Sequence, residues 1–278
     1  MKKLAAIAAL SASTLGLSAV PSFADYTLNI LHFNDWHSRI EGNNKYESTC
    51  SADEETKGEC IGGAGRLITA IAQERKKLEG QNVLLLNAGD SFQGSLFYTT
   101  YKGAVEEEFL NQIKPDAVTL GNHEFDDGES ALVPYLDKAK FPIVSANVVP
   151  NDKSGAAGKI KPSIVVEVGG QKIGIVGAVT NDTPELASPG PNIAIADDVK
   201  SITAEVEKLK AQGVNKIIAV THIGYNRERD IIAKIPGIDV VVGGHSHSLL
   251  SNTDPKAEGP YPTMVDNPDG SKVRVVQA

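Results

Sequence analysis

Residues 117–126 have the sequence Ala-Val-Thr-Leu-Gly-Asn-His-Glu-Phe-Asp, in which a polar cluster follows directly after a short apolar stretch. The apolar part, Ala117–Leu120, predicts a buried β-strand. In open α/β sheets, ligands bind just beyond the carboxyl ends of the strands. The polar cluster that begins at Gly121 is therefore a candidate functional site.

The same pattern occurs at four other places along the chain. The apolar stretches that predict these strands are Tyr26–Phe33, Val83–Leu86, Lys216–Val220 and Val240–Val242. The polar residues that follow them are Asp35 and His37, then Asp90, then His222, and finally His245 and His247. One loop histidine is more often a surface residue than a ligand, but five of the six histidines lie in these clusters. The conjunction predicts a metal site, whereas His32, inside a predicted strand, is interpreted as structural.

Predicted helices separate these strands. They are Gly65–Leu78, Val105–Ile113, Ala131–Lys138, Val199–Ala211 and Arg227–Lys234. Strands that alternate with helices predict an α/β layered fold, here in one domain. Gly169-Gly170 predicts a hairpin between Ile164–Val168 and Lys172–Val179, and the last predicted strands, Thr263–Val265 and Val273–Gln277, suggest a second hairpin.

The N-terminal segment has the pattern of a secretory signal peptide. Two lysines precede the apolar stretch Leu4–Val20, and Ala24 supplies a small residue before Asp25. The alternative is a retained membrane anchor, but serine and threonine interrupt a stretch that would need about 20 apolar residues. We therefore expect residues 1–24 to be removed and residues 25–278 to form an exported domain, periplasmic or secreted and not inserted in the membrane.

Composition and charge narrow the classes of function. A content of 41% hydrophobic and 22% charged residues is typical of a globular protein and argues against disorder. The net charge is −8, without a basic cluster, which argues against a nucleic acid polymer as partner. An acidic protein should repel phosphate, but two divalent cations would invert the local field. Nitrogen and oxygen donors suit Zn, Mn, Fe or Co, and a pair of such ions is the usual clamp for phosphoryl transfer.

The only two cysteines, Cys50 and Cys60, lie within and at the end of a polar insert that runs over residues 41–59. In an oxidising compartment they are expected to form a disulfide. Free thiols, or half of a metal site, are the alternatives. The glycine-rich segment Gly62–Arg66 lacks the Lys-Ser/Thr ending of a phosphate-binding P-loop and is interpreted as a turn into a helix.

The ordered polar clusters resemble a known superfamily. The series Asp35-x-His37, Gly89-Asp90, Gly121-Asn122-His123-Glu124, His222 and Gly244-His245-x-His247 is similar to the calcineurin-like metallophosphoesterases. Leu31–Ser38, Leu120–Asp126 and Val241–Ser246 resemble the 5′-nucleotidase family within it, which includes periplasmic UDP-sugar hydrolases/5′-nucleotidases and animal ecto-5′-nucleotidases. The resemblance implies a four-layer αββα sandwich and a metal-dependent phosphoric ester hydrolase.

The resemblance also implies roles for individual residues. Two divalent metal ions, Zn, Mn or Co, would be bound. Their ligands would be Asp35, His37, Asp90 and His247 for one ion, and Asp90, Asn122, His222 and His245 for the other, so that Asp90 bridges. Asn122 and His123 would contact the phosphate, and His123 with Asp126 would form a catalytic dyad. From the residues alone, Asp126 could instead cap the helix that follows it.

The function implied by the resemblance is hydrolysis of nucleoside 5′-monophosphates by metal-activated water. Members of the family carry a further C-terminal domain that binds the nucleotide, and residues 25–278 do not include it. We therefore expect weak activity or none from this chain alone, which is either a fragment or a natural truncation. The alternatives are hydrolysis of a UDP-sugar or a 2′,3′-cyclic nucleotide at the same site, or a non-catalytic, exported metal-binding domain.

Overall fold

The computed structural model describes residues 26–46 and 48–278, so the predicted signal peptide lies outside the described residues. Four parallel strands form the first sheet: β1 (Asn29–Phe33), β2 (Val83–Asn87), β3 (Ala117–Thr119) and β4 (Ile143–Val144). Parallel strands need long crossover connections. These crossovers contain the helices α2 (Ala64–Lys77), α3 (Leu96–Tyr101), α4 (Ala104–Ile113) and α5 (Glu129–Lys138).

The second sheet has six strands in the order β11-β12-β10-β9-β7-β6. Their bounds are β6 (Ser163–Val168), β7 (Gln171–Val179), β9 (Ile217–His222), β10 (Val240–Val242), β11 (Thr263–Asp266) and β12 (Lys272–Val276). The four central strands are parallel, and both edge strands are antiparallel members of hairpins. Both predicted hairpins are therefore confirmed. Gly169 and Gly170 close the first with positive φ angles of 56° and 74°, which a two-residue hairpin turn favours.

The two sheets pack face to face. Leu84 and Leu86 of β2 share one buried cluster with Ile175 of β7 and Val220 of β9. Alternate residues of β9, Ile217 and Ala219, point to the other face, where they pack with α7 (Asp198–Ala211). A third cluster joins the outer face of the first sheet to its helices. The order is helices, sheet, sheet, helices, which confirms the predicted αββα sandwich.

Some elements differ from the predictions. The polar insert contains α1 (Ala52–Lys57), whose residues are all at least partly exposed; Ser51 and Glu54 form a capping box at its start. The predicted helix Arg227–Lys234 is divided at Ile231 into α8 (Tyr225–Asp230) and a 3₁₀ turn. The short elements α6 (Thr183–Leu186), β5 (Val148–Pro150) and β8 (Ile193–Ile195) were not predicted either; β5 pairs antiparallel with β8.

Cys50 and Cys60 are joined by a disulfide with their Cα atoms 6.0 Å apart. The segment it closes is also held by paired backbone hydrogen bonds between Asn43 and Ile61, each 2.8 Å long. The glycine-rich segment leads into α2, which begins at Ala64 after Gly63, as predicted. Over the described ranges, none of the helices has the length and apolar character needed to cross a bilayer.

Candidate metal centre

The polar clusters meet at one edge of the sandwich because the carboxyl ends of strands from both sheets converge there. Asp35 and His37 follow β1, and their backbone N–H groups donate to the carbonyl oxygens of Gly89 (3.0 Å) and Asp90 (2.9 Å) after β2. The Asp35 carboxylate in turn accepts the backbone N–H of His245, which follows β10, at 3.0 Å. Loops of the first and second sheets are thus bonded to each other at the site.

Three of the predicted ligands form a first group on the more open side. Ligand atoms of Asp35, His37 and His247 all lie within 4.8 Å of one another. Nε2 of His247 is 3.2 Å from Oδ1 of Asp35 and 3.0 Å from Nε2 of His37. This spacing would let one cation contact all three side chains.

A second group lies deeper and contains Asp90, His222 and His245. Nδ1 of His222 donates to the carbonyl oxygen of Ala88 at 2.7 Å, so Nε2 is the ring nitrogen that faces the other predicted ligands. That Nε2 lies 2.9 Å from Oδ2 of Asp90. Oδ1 of Asn122 is buried without a hydrogen-bond partner among the described residues. A buried polar atom without a partner is costly, and a bound cation would satisfy it.

Asp90 connects the two groups. Its Oδ2, 2.9 Å from His222, is also 3.8 Å from Nε2 of His37 in the first group. Burial opposes ionisation, but His222 lowers the pKa of Asp90 below its usual range. Burial likewise opposes the charge of His222, whereas Asp90 and Asp35 raise the pKa of His222 to about 10. The Asp90 carboxylate therefore favours its ionised form, which can bind a cation. The residues of the two groups together fit a pair of divalent cations.

The backbone at this site is strained. Asp35, His37, Asp90, His245 and His247 all have positive φ angles, between 50° and 79°. Residues other than glycine rarely adopt this region, and such outliers cluster at functional sites. The structure therefore holds five of the seven predicted ligands in costly conformations, which indicates that their side-chain positions matter.

His123 and Asp126 are brought together by the 3₁₀ turn His123–Phe125, and Nδ1 of His123 lies 2.7 Å from Oδ2 of Asp126. This hydrogen bond is the main cause that raises the pKa of His123. The alternative role of Asp126 as a helix cap is wrong, because α5 starts at Glu129 with Gly128 in the capping position. His123 also packs edge-on against His37, with ring centroids 5.3 Å apart.

The two groups open into a cavity of about 650 Å³. Six of the seven predicted ligands line it, together with His123; the seventh, His222, is fully buried behind them. Ile61 and Leu186, both more than 45% exposed, provide apolar contacts at the rim. Asn43 and Asn44 also line the cavity, so the polar insert, together with Ile61 next to the disulfide, forms one wall of the site.

Sequence reasoning missed three side chains that support these ligands. Asn34 donates to Oδ2 of Asp35 at 2.6 Å. Glu124 and Glu228 are buried carboxylates that accept hydrogen bonds from the ligand-bearing loops. Glu124 stands inside a polar cluster, which was a usable signal, whereas nothing in its local sequence marks Glu228.

This fold and this site define the class of metallophosphoesterases. The chain belongs to the calcineurin-like phosphoesterase family, whose sequence profile matches residues 28–249. It is similar to human 5′-nucleotidase, with 43% identity over 273 residues that cover 95% of this chain and 46% of the relative. It is 42% identical over 260 residues to a snake venom 5′-nucleotidase of Naja atra, covering 91% of this chain and 48% of the relative. The chain thus spans about half the length of the curated relatives it matches.

Solved structures agree with this assignment. The 5′-nucleotidase precursor of Thermus thermophilus superposes with a TM-score of 0.79 at 38% identity, over 90% of this chain and 48% of that one. The NAD nucleotidase of Haemophilus influenzae gives a TM-score of 0.80 at 34% identity, over 90% and 44%. The predicted fold and the resemblance to phosphoric ester hydrolases of the 5′-nucleotidase type are confirmed.

Proposed function

We propose that this chain is the metal-binding domain of an exported enzyme that hydrolyses nucleoside 5′-monophosphates. The observation that carries the proposal is the position of Asp90, whose carboxylate lies between two groups of imidazole and carboxylate ligands. The 5′-nucleotidases to which the chain is similar support the substrate class.

The proposed centre holds two divalent cations. The first would bind to Asp35, His37, Asp90 and His247, and the second to Asp90, Asn122, His222 and His245. Nitrogen and oxygen donors without thiolate suit Zn, Mn or Co. When bound, such a pair of ions supplies an activated water and neutralises charge on the phosphoryl oxygens.

The chain's own residues have distinct tasks in the proposed reaction. His123 uses Nδ1 to bind Asp126, so Nε2 is the ring nitrogen that remains for the substrate. The raised pKa of His123 favours a proton on that nitrogen, which can pass to the leaving alkoxide. The side-chain amide of Asn122 provides a hydrogen-bond donor for a phosphoryl oxygen. Metal storage has no use for such an acid, and this argues against a non-catalytic role.

Export and domain organisation belong to the same proposal. Residues 1–24 would direct export, and residues 25–278 would form the metallophosphoesterase domain. The Cys50–Cys60 disulfide supports an oxidising compartment, and a snake venom enzyme is among the relatives. The part of the relatives that this chain does not match would provide most of the nucleoside recognition.

A second candidate substrate is a nucleotide pyrophosphate such as a UDP-sugar, which the similarity to an NAD nucleotidase favours. The test is chromatographic measurement of the products that purified residues 25–278 form with Mn²⁺: adenosine and phosphate from AMP, UMP and glucose 1-phosphate from UDP-glucose, a nucleoside monophosphate from 2′,3′-cyclic AMP, and p-nitrophenol from p-nitrophenyl phosphate. We expect weak turnover that EDTA abolishes, with AMP preferred. A folded, metal-loaded protein that formed none of these products would contradict the proposal, and a preference for UDP-glucose would favour the second candidate.

A further inference from the structure

Two carboxylates lie directly beneath the proposed metal centre without belonging to either ligand group. Glu124 is 2% exposed and Glu228 is fully buried. Isolated buried carboxylates are strongly unfavourable unless hydrogen-bond donors surround them. The donors around these two side chains come from the loops that carry the predicted ligands.

Glu124 bonds two loops of the first sheet to each other. Its Oε1 accepts the backbone N–H groups of Ser91 (2.7 Å) and Phe92 (3.1 Å). Its Oε2 accepts those of Asp90 (3.1 Å) and Gly121 (2.6 Å). Both oxygens are fully used as acceptors, so this side chain fixes the backbone of Asp90 relative to the loop that carries Asn122.

Glu228, on α8, likewise connects two loops of the second sheet through hydrogen bonds. It uses only one of its carboxylate oxygens to do so. Its Oε1 accepts the Thr221 hydroxyl (3.0 Å) and the backbone N–H groups of Ile223 (3.3 Å) and Gly244 (3.4 Å). These donors flank His222 and precede His245. Its Oε2 is buried and has no hydrogen-bond partner in the part of the chain that the structure describes.

We infer that Glu124 and Glu228 are positioning residues of the metal centre, each of which fixes the relative position of two ligand-bearing loops through their backbone donors. The inference rests on the proposed metal centre. Its physical reason is the strain described above: Asp90 and His245 have φ angles of 52° and 79°, and such conformations persist only where surrounding contacts impose them. Without Glu124, the backbone N–H of Asp90 loses its hydrogen bond. The backbone N–H groups of Ser91 and Phe92, the two residues that follow, lose theirs as well.

Glu124 uses both carboxylate oxygens as acceptors, whereas Glu228 uses only Oε1, so the same substitution should affect the two residues differently. Glu124→Gln replaces one carboxylate oxygen by an N–H₂ group at a position toward which two backbone N–H groups point. Two hydrogen bonds are lost, and hydrogen-bond donors then face each other. Glu228→Gln can keep Oε1 as an acceptor and place its N–H₂ at the position of the partnerless Oε2. Glu228→Leu removes the acceptor entirely.

Matched controls exist at the opposite ends of the same strands. Asp116 accepts the backbone N–H of Leu85 at 2.7 Å and joins β2 to β3, and Asp239 accepts that of Ile217 at 2.8 Å and joins β9 to β10. Asp116→Ala and Asp239→Ala remove carboxylates that bond neighbouring strands far from the ligands. They measure what a general loss of stability does to metal binding.

The experiment is titration of metal-free protein with Mn²⁺ by calorimetry, with melting temperatures measured in parallel. We expect Glu124→Gln and Glu228→Leu to weaken Mn²⁺ binding about 10- to 100-fold, as loss of supporting contacts does at other metal sites. Glu228→Gln and both alanine controls should stay within about threefold of wild type, even where the melting temperature falls.

Folded Glu124→Gln and Glu228→Leu proteins with wild-type Mn²⁺ affinity would overturn the inference, as would equal losses in the controls. If circular dichroism shows that Glu124→Gln does not fold, Glu124→Asp, which retracts the carboxylate by one methylene, takes its place with an expected intermediate loss. Failure of the wild-type protein to bind Mn²⁺ would instead overturn the proposed centre, and the inference with it.

Discussion

The backbone of Gly121 passes so close to Asp90 that a β-carbon on Gly121 would lie 2.1 Å from Oδ1 of that carboxylate. We therefore expect Gly121→Ala to displace Asp90, the proposed bridging ligand, and to lower Mn²⁺ affinity at least about tenfold, a loss typical of disturbed ligand orientation. Calorimetric titration measures the loss. Gly65→Ala is the control, because its new methyl group would meet open space on α2. Equal Mn²⁺ affinity of the two variants would contradict the role given to Gly121.

The proposed role of Asp90 as a ligand to both ions predicts that its removal causes a loss of both ions rather than one. Asp90→Ala removes the carboxylate that lies between the two groups, so bound metal should fall from two ions per chain to less than one. Metal analysis after gel filtration measures this number. Added Mn²⁺ should raise the melting temperature of the wild-type protein, because a ligand that binds only the folded state stabilises it. The variant should show little of this shift, and retention of two ions would exclude Asp90 as the bridge.

The hydrogen bond between His123 and Asp126 can be tested with its neighbour as a control. Asp126→Asn should lower kcat roughly 10²-fold, because it removes the charge that orients His123 and favours its protonated form, and should leave the metal content unchanged. Asp127→Asn alters the next carboxylate, which instead binds the Tyr98 hydroxyl at 2.8 Å and Lys102 at 3.0 Å. Phosphate release from AMP under saturating Mn²⁺ should change much less in that variant; the opposite order would reject the dyad.

Glu228 predicts a pH dependence of stability. Burial raises the pKa of Glu228 to about 7, whereas an unfolded glutamate titrates near 4.5. Between these values the folded state binds a proton that the unfolded state releases, so the stabilising contribution is present at low pH and is lost as the pH rises. The free energy of unfolding of the metal-free wild type should therefore fall relative to Glu228→Gln, on the order of 3 kcal/mol between pH 4.5 and pH 7. Urea unfolding at several pH values measures it, and parallel curves for the two proteins would refute it.

The Cys50–Cys60 disulfide should matter for the wall of the site as well as for stability. In the loop-entropy view, closing so short a segment contributes roughly 2–3 kcal/mol. Replacing both cysteines by serine should lower the free energy of unfolding by that order and raise KM for AMP more than it lowers kcat, since Ile61 lines the cavity and the ligands lie elsewhere. A fall in kcat alone would contradict this assignment.

The strand-end clusters could be predicted because parallel strands bring their carboxyl ends to one edge whatever the details of packing. The apolar stretches before Asp90, Asn122 and His222 are short and unmistakable, so their place in the sheets followed directly. The pairing of Asn34 with Asp35 and the support from Glu228 could not be predicted. Both depend on which groups face each other after the two sheets have packed. The pattern of a single sequence does not encode the distances between such groups.

The missed elements have three different physical causes. Helix α1 rests on a capping box and on local charge rather than on an apolar face, so it has no periodic hydrophobic signal. Strands β5 and β8 have three residues each, too few for an alternating pattern. The division of the predicted helix at Ile231 arises where the chain turns toward buried Ile232, a choice made by the core of the second sheet.

The bond from the His245 backbone to the Asp35 carboxylate spans 210 positions of the chain. A catalytic pocket assembled in this way exists only after the first and last portions of the domain have both folded and docked. A chain still emerging from the ribosome, or crossing a membrane as an extended polymer, would hold neither cation properly and would attack no phosphoester. Under the proposed function, activity would begin only at the end of folding, so nucleotides in the compartment where the protein is made would not be attacked.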